Sequence, residues 1–258
     1  MGETPEMIDL HSHILCGLDD GAQLLEESIE MCRMSYHDGI RTIVATPHIL
    51  DGVYQNDRST ILPRLKELNA VLMHSALDTR HSALRILPGA DVHFSSDILH
   101  RYEEGEIVTV NDQGRYLMIE FESQGIPYMA EKALFQMLTN GIIPIISHPE
   151  RNMEIGKEPR RYYEMIRMGC LGQVTAMSLT GEFGPKVMKV AEKLLAHRLI
   201  HIIASDAHSV RRRPPVLSSG VKAAEKIVGE EEARKLVTEY PKAVIEGRRP
   251  SIPDPIPL

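Results

Sequence analysis

Two histidines one residue apart, His11 and His13, close the short apolar run Met7-Ile8-Asp9-Leu10, and Asp20 follows seven residues after the second. In an extended chain, residues i and i+2 share a face, so both imidazoles can point at one spot. That arrangement can hold a metal ion, although a hydrated histidine pair has the same spacing. Further along, residues of the same three types end successive apolar runs. His48 follows 41–46, Asp91 follows 85–90, Glu120 lies in 116–121, His148 follows 142–147, and Asp206 and His208 follow 199–205. Each alone has an ordinary reading, as a hydrogen-bonded histidine or a capping acid. Together they require a common cause, because parallel strands feeding helices put their C-terminal ends on one face.

Imidazole and carboxylate without thiolate suit Zn, Mn, Fe or Mg rather than a structural zinc cluster. The candidate ligands His11, His13, Asp20, His48, Asp91, Glu120, His148, Asp206 and His208 outnumber what one ion needs. Two or three divalent ions are therefore expected, with carboxylates such as Glu120 bridging them. Two arginines stand beside ligands, Arg151 in His148-Pro149-Glu150-Arg151-Asn152 and Arg213 in Arg211-Arg212-Arg213-Pro214-Pro215. Arginine is a planar bidentate donor for a phosphate oxyanion. Arg211 and Arg212 read equally well as a solvated basic run. Two metals roughly 3.5–4 Å apart can turn water into hydroxide and clamp the leaving oxygen of a phosphate ester. Metal-assisted phosphoester hydrolysis is the chemistry these residues suggest.

The elements that must position them alternate along the whole chain. Strand-like runs cover Met7–His11, 41–46, 85–91, 116–121, 142–148, 170–175 and 199–206, and their near-continuous aliphatic content suits parallel strands covered on both faces. Helical stripes lie between: Leu25, Ile29, Cys32 and Tyr36 up to Gly39; Ile61, Leu65, Leu68 and Leu72 behind Ser59 as N-cap; and Met129, Ala133 and Met137. Others are a helix opened by Gly184-Pro185, one carrying Leu217 to Val228, and one carrying Ala233, Leu236, Val237 and Tyr240. With no linker or composition break, the expectation is a single α/β domain over 7–247 with a parallel sheet, open or closed into a barrel. Residues 1–6 would be an N-terminal tail, and 248–258, with four prolines, a C-terminal tail without regular structure. No Gly-x-Gly-x-x-Gly follows the first strand and no Walker loop occurs, so nucleotide binding has no support.

The 258 residues are 43% hydrophobic and 25% charged, as in ordinary globular proteins, and the net charge of −7 argues against a nucleic-acid partner. No apolar run approaches the ~18 residues that insert in a bilayer, and the N-terminus lacks a signal-peptide pattern. Cys16, Cys32 and Cys170 fit a reduced cytoplasm, and none is followed by arginine at the sixth position, as a cysteine phosphatase loop requires. The other histidines, His37, His74, His81, His93, His100, His197 and His201, read as ordinary helix or mid-strand residues.

Several stretches carry a resemblance: Met7-Ile8-Asp9-Leu10-His11-Ser12-His13, Gly17-Leu18-Asp19-Asp20-Gly21, Ala45-Thr46-Pro47-His48, Gly89-Ala90-Asp91 and Ile119-Glu120-Phe121. Ser147 to Asn152, Gln173 to Gly181 and Ala204-Ser205-Asp206-Ala207-His208 extend it. On these the chain resembles the polymerase-and-histidinol-phosphatase (PHP) superfamily, and within it the bacterial metal-dependent protein tyrosine phosphatases of capsule and exopolysaccharide operons. The resemblance implies a distorted TIM-like (βα)7 barrel with a trinuclear metal centre. It also implies dephosphorylation of a tyrosine autokinase that controls polysaccharide synthesis and export. By carry-over the nine residues above are the metal ligands, and Arg151 and Arg213 hold the phosphate. One departure is Asp91, where the family usually has Glu; the shorter arm is expected to shift or weaken one metal position. The rival readings are a PHP phosphatase for a small ester such as histidinol phosphate, a metal amidohydrolase, and an inactive metal-stabilised binding module. The amidohydrolases also begin with His-x-His, but commonly carry a carboxylated lysine where this chain has Glu120. A homo-oligomer is left open.

Overall fold

A computed structural model describes residues 6–73 and 84–258. His74, His81 and nearly all of the expected N-terminal tail lie outside the described residues. Nine strands occur among the described residues: β1 (Met7–Ser12), β2 (Ile40–Ala45), β3 (His48–Ile49), β4 (Arg85–Pro88), β5 (Asp91–His93), β6 (Tyr116–Glu120), β7 (Ile143–Ser147), β8 (Leu171–Thr175) and β9 (Ile202–Ala204). They form two sheets, β1-β2-β4 and β3-β5-β6-β7-β8-β9, in which every pairing is parallel. The protein is a single mixed α/β fold with helices between the strands.

The third expected strand is divided in two and the second is followed, past Pro47, by a further short strand, and the chemistry of the break residues explains both. The Thr46 N–H still donates to the Ser12 carbonyl of β1 (2.9 Å), but Pro47 has no N–H to continue a ladder, so β2 ends and β3 begins at His48. Between β4 and β5 stands Gly89, where a Cβ would come within 2.6 Å of Val44 Cγ1, so only glycine allows the backbone this close. The run expected over 199–206 contracts to Ile202–Ala204. Arg198 sits at φ +57°, and the Ser205 N–H leaves the ladder for the Asp9 carboxylate (2.9 Å). Beyond it, the Asp206 N–H donates to the His11 carbonyl (2.8 Å) and Ser12 bridges Ala207, so the first and last strand ends meet.

Both faces of the strands are buried, as their aliphatic content requires. Leu10, Val44, Met118, Ile145, Ile202 and Ala204 pack with one another. Their chain neighbours Ile43, Ile119, Ile146 and Ile203 face the larger core beneath the helices. Each of these Leu, Ile, Val and Met side chains contributes about 1.5–3 kcal/mol on burial.

Two helix expectations are corrected. The helix Arg58–Leu72 is capped by Asp57, not Ser59: the Asp57 carboxylate accepts from Thr60 N–H (3.0 Å) and the Thr60 hydroxyl accepts from Asp57 N–H (3.0 Å). The set Ala233, Leu236, Val237 and Tyr240 does not share one helix: Ala233 lies in Glu230–Lys235, Tyr240 in Glu239–Ile245, and Leu236 and Val237 in the turn between them. Pro241 is the reason, since it is tolerated only in a first turn and its ring excludes a bond to the carbonyl four residues back. That carbonyl, of Val237, accepts instead from Ile8 N–H in β1 (2.8 Å). The Pro-rich segment is irregular, as expected, and lies against its own chain: Ile256 N–H donates to the His197 carbonyl (2.9 Å).

His201, at the start of β9, is buried and its Nδ1 accepts from Gly172 N–H (3.0 Å). Burial pushes its pKa down to about 4 from 6.5. As pH falls below 6.5 the unfolded chain takes up this proton while the folded one does not, so stability declines until about pH 4, by about 3 kcal/mol. His201→Asn keeps an acceptor and removes the titration. In urea unfolding at pH 7 and at pH 4.5, the stability difference between wild type and variant should narrow at the lower pH; an unchanged difference would refute the assignment.

Candidate metal centre

The site is built where the strands end. His11 closes β1 and His13 lies just past it, with Nε2 atoms 3.1 Å apart, so the extended-chain geometry brings the pair together. The loop after His13 folds back over it, Ala22 N–H donating to the His13 carbonyl (3.1 Å). Gly21 makes that return possible, since a Cβ there would fall 2.1 Å from the His13 oxygen. Asp19 and Asp20 thereby reach the centre. His48 and Asp91 open β3 and β5 as register partners, and Glu120 ends β6. His148 and Asp206 follow β7 and β9 in left-handed backbone, at φ +32° and +51°. A non-glycine residue pays about 1–3 kcal/mol for this and keeps it where the surroundings over-determine it, typically at functional sites.

All nine expected ligands converge. His11 Nε2 lies 3.5 Å from Asp91 Oδ2 and 3.4 Å from Asp206 Oδ1, which is also 3.4 Å from His13 Nε2. His48 Nδ1 stands 3.5 Å from Asp91 and 3.4 Å from Glu120, and His148 Nε2 is 3.4 Å from Glu120 Oε1. Asp20 Oδ1 is 3.6 Å from His48 Nε2 and 3.5 Å from His208 Nε2. Three overlapping donor groups result: His13, Asp20, His48 and His208; His11, His13 and Asp91; and His48, Asp91 and Glu120.

These distances test whether metal fits. Two donors each about 2.0–2.2 Å from one ion stand roughly 3–3.5 Å apart, longer than a hydrogen bond between them. Asp91 Oδ2, Asp206 Oδ1 and His208 Nε2 are buried and have no hydrogen-bond partner among the described residues. Buried polar atoms without partners are costly unless something else satisfies them. Divalent cations fit this donor set. The shorter arm of Asp91 still places Oδ2 among three imidazoles, and Oδ1 accepts from the Ser147 hydroxyl (2.6 Å).

The electrostatics agree. Burial and the Asp91 carboxylate push Glu120 up to about 8, and burial together with charge on His13 pushes His48 down to about 4. Burial works against a charged His13, but Asp19 and Asp206 outweigh it and raise the imidazole to about 10. Asp206 is held well below its ordinary value despite complete burial, by Arg151 and His11. A cation taking the place of these protons releases them.

Both arginines reach the same atom. Arg151 and Arg213 each donate a terminal N–H to Asp206 Oδ2, and Arg151 also reaches Thr175 Oγ1 (3.3 Å). Arg213 returns to the site because its carbonyl accepts from His208 N–H (2.9 Å), closing the loop between them. Arg211 and Arg212 stay on the exposed side of that loop. Beside Arg151 lies a cavity of about 150 Å³, lined by Glu120, Phe121, Ser123, His148 and Asn152. Cys32 and Cys170 are buried and pushed up to about 12, so they are thiols far from nucleophilic ionisation.

The sequence reading passed over the residues that orient the ligands. Asp19 accepts from His13 Nδ1 (2.7 Å), from Gly21 N–H (2.9 Å) and from His48 N–H (2.9 Å). Gln173 Oε1 accepts from His11 Nδ1 (3.0 Å), so both histidines present Nε2 to the centre. The signal was present: a ligating histidine needs an acceptor for its other nitrogen. The Asp19-Asp20 pair offers two carboxylates, and Gln173 is a long polar side chain in the middle of the buried strand β8. Asp19→Asn sets an amide N–H against one of three donors. It should weaken Mn²⁺ affinity by about 10–100-fold in calorimetric titration, whereas affinity within two-fold of wild type would make Asp19 a mere loop fastener.

Comparison with known proteins gives consistent matches over nearly the whole chain. Tyrosine-protein phosphatase YwqE of Bacillus subtilis (strain 168) is 37% identical over 207 residues, covering 80% of this chain and 79% of that relative. Tyrosine-protein phosphatase CpsB of Streptococcus pneumoniae is 33% identical over 244 residues, covering 93% and 98%. A crystal structure from work on those two proteins, described there as unique metal-dependent tyrosine phosphatases, superposes with a TM-score of 0.90 at 34% identity, covering 98% of this chain and 99% of that one. The β-aspartyl dipeptidase of Fervidobacterium islandicum AW-1 shares the fold, with a TM-score of 0.55 at 15% identity, over 97% of this chain and 76% of that one. The family model for capsular polysaccharide synthesis, CpsB/CapC, matches residues 7–246, and the chain belongs to that family.

Proposed function

We propose that this protein is a metal-dependent phosphatase that hydrolyses phosphotyrosine on a protein partner, a bacterial tyrosine autokinase controlling polysaccharide synthesis or export. The observation that carries the reading is the meeting of two arginines with the donor cluster at Asp206. Arg151 Nε and Arg213 Nε are buried donors with no partner among the described residues, the geometry an incoming oxyanion would satisfy. Membership of the family and the names of its relatives support the same activity.

His11, His13, Asp20, His48, Asp91, Glu120, His148, Asp206 and His208 would hold two or three divalent ions, manganese first, with iron, magnesium or zinc as alternatives. Such ions supply Lewis acidity toward a phosphoryl oxygen and lower the pKa of water. The chain's own part is positioning and charge. Arg151 and Arg213 bind the phosphoryl oxygens and offset the negative charge that grows on them. Asp206 holds both guanidiniums facing the donor cluster, and Gln173 and Asp19 fix the tautomers of His11 and His13. Phe121 and Pro149 give the cavity beside Arg151 an apolar wall suited to an aryl ring.

The two sheets are read here as one seven-stranded (βα)7 barrel over residues 7–247, with 248–258 as a tail. Support comes from the pairs β2/β3 and β4/β5, each a divided strand, and from the Ser12–Ala207 bridge between first and last strand ends. Among the described residues no helix is long and apolar enough to cross a membrane, and we take the protein to act in the cytoplasm.

The deciding experiment is side-by-side kinetics of the Mn²⁺-loaded protein on a phosphotyrosine peptide and on histidinol phosphate. Higher kcat/KM on the peptide is expected. Preference for histidinol phosphate would shift the reading to a small-ester phosphatase, and no turnover of either, or of p-nitrophenyl phosphate, to a binding module.

A further inference from the structure

Phe183 is unusual among the aromatic residues of this chain. It is half-buried, yet among the described residues it packs with neither apolar cluster. What it faces is charge. The guanidinium carbons of Arg151 and Arg213 lie over its ring, 5.0 and 5.8 Å from the centre. One ring therefore meets both arginines that converge on Asp206 Oδ2.

The backbone fixes this ring in place. Phe183 sits at the tip of the turn Gly181–Gly184, closed by Gly184 N–H donating to the Gly181 carbonyl (2.8 Å). Gly181 ends the helix Ala176–Thr180 and Gly184 begins the helix Pro185–Ala196, both at φ +92°. The turn joins two helix ends directly, and glycine supplies both positive-φ positions that it requires.

We propose that Phe183 is a positioning residue for phosphate binding, its ring carrying both guanidiniums and keeping them aimed at the centre. This rests on the reading of Arg151 and Arg213 as phosphate-binding groups. The physical need is clear from Asp206. Its Oδ1 faces three imidazoles and its Oδ2 takes both arginines, so the carboxylate alone must serve the donor cluster and the anion site together. An aromatic face attracts cations without competing for their N–H donors, leaving these free for phosphoryl oxygens. The guanidiniums stay aligned when a phosphoryl group, rather than Asp206, takes their N–H bonds.

The test uses the full chain loaded with Mn²⁺ and inorganic phosphate as the probe, with binding read by calorimetry. Phe183→Leu keeps apolar bulk and removes the π face; Phe183→Trp keeps the face. Phosphate affinity should drop roughly ten-fold in F183L and stay within about two-fold of wild type in F183W, with unchanged metal content in both. KM for a phosphotyrosine peptide should rise in F183L more than kcat falls. F183L binding phosphate as tightly as wild type, F183W as weakly as F183L, or a wild type that binds no phosphate would each overturn the proposal. Because binding is read without turnover, absence of phosphotyrosine hydrolysis would count against the activity alone.

Discussion

Removing the divalent ions should abolish phosphotyrosine hydrolysis and unmistakably soften the fold. After dialysis against EDTA, kcat/KM is expected to fall by at least about 10³-fold, the scale of losing Lewis-acid stabilisation worth several kcal/mol. Added Mn²⁺ should restore it. The stability effect follows from linkage: an ion present at about a thousand times its dissociation constant stabilises the folded state by about 4 kcal/mol. For a chain of this size that corresponds to a rise in Tm of about 10 °C. The reason to expect so much lies in the metal-free centre, where carboxylates and imidazoles crowd at 3.4–3.6 Å with buried atoms unpaired. Glu120 relieves part of that crowding by staying protonated near neutrality. EDTA-treated protein that keeps its rate and its Tm would overturn the metal assignment for this site.

The second large effect belongs to Asp206→Asn. One oxygen of this carboxylate faces His11, His13 and His208, and the other takes both arginines. An amide cannot satisfy both sides: if its oxygen accepts from the arginines, its NH₂ confronts the donor cluster, and the reverse flip sets NH₂ against two guanidiniums. Both metal affinity and phosphate binding should suffer, and kcat/KM is expected to drop by about 10³-fold. Removing the charge also leaves Arg151 and Arg213 without their anion, a loss of about 3–5 kcal/mol for a buried pair. Mass-spectrometric metal content and chemical unfolding, measured beside kinetics, separate the two consequences. Activity within ten-fold of wild type would show that Asp206 is a structural acid only.

Much of the centre was legible because its physics is local and directional. A strand end followed by His, Asp or Glu states both the residue type and the face, and the parallel arrangement does the gathering. What sequence left obscure depends on contacts between distant segments. Asp19 and Asp20 are indistinguishable on the page; only the fold of the loop over His13, permitted by Gly21, aims one at an imidazole nitrogen and the other at the centre. The need for glycine at position 89, between β4 and β5, comes from Val44, forty-five residues earlier, whose Cγ1 an added Cβ would meet at 2.6 Å. The split at Thr238 was readable in principle from Pro241, but the apolar period ran across it and outweighed the signal. The role of Phe183 has no sequence signature, since an aromatic residue between two glycines says nothing of the charges it meets.

The hydrogen bond from Ile8 to the Val237 carbonyl carries a consequence for how the protein is made. The strand that carries His11, with His13 just past it, is anchored by the carbonyl of Val237, far along the sequence, and the candidate donors extend to His208. A growing polypeptide would carry its first two candidate donors long before the residues that seat them. Loading of the proposed ions would therefore wait for the segments that contain Val237 and His208.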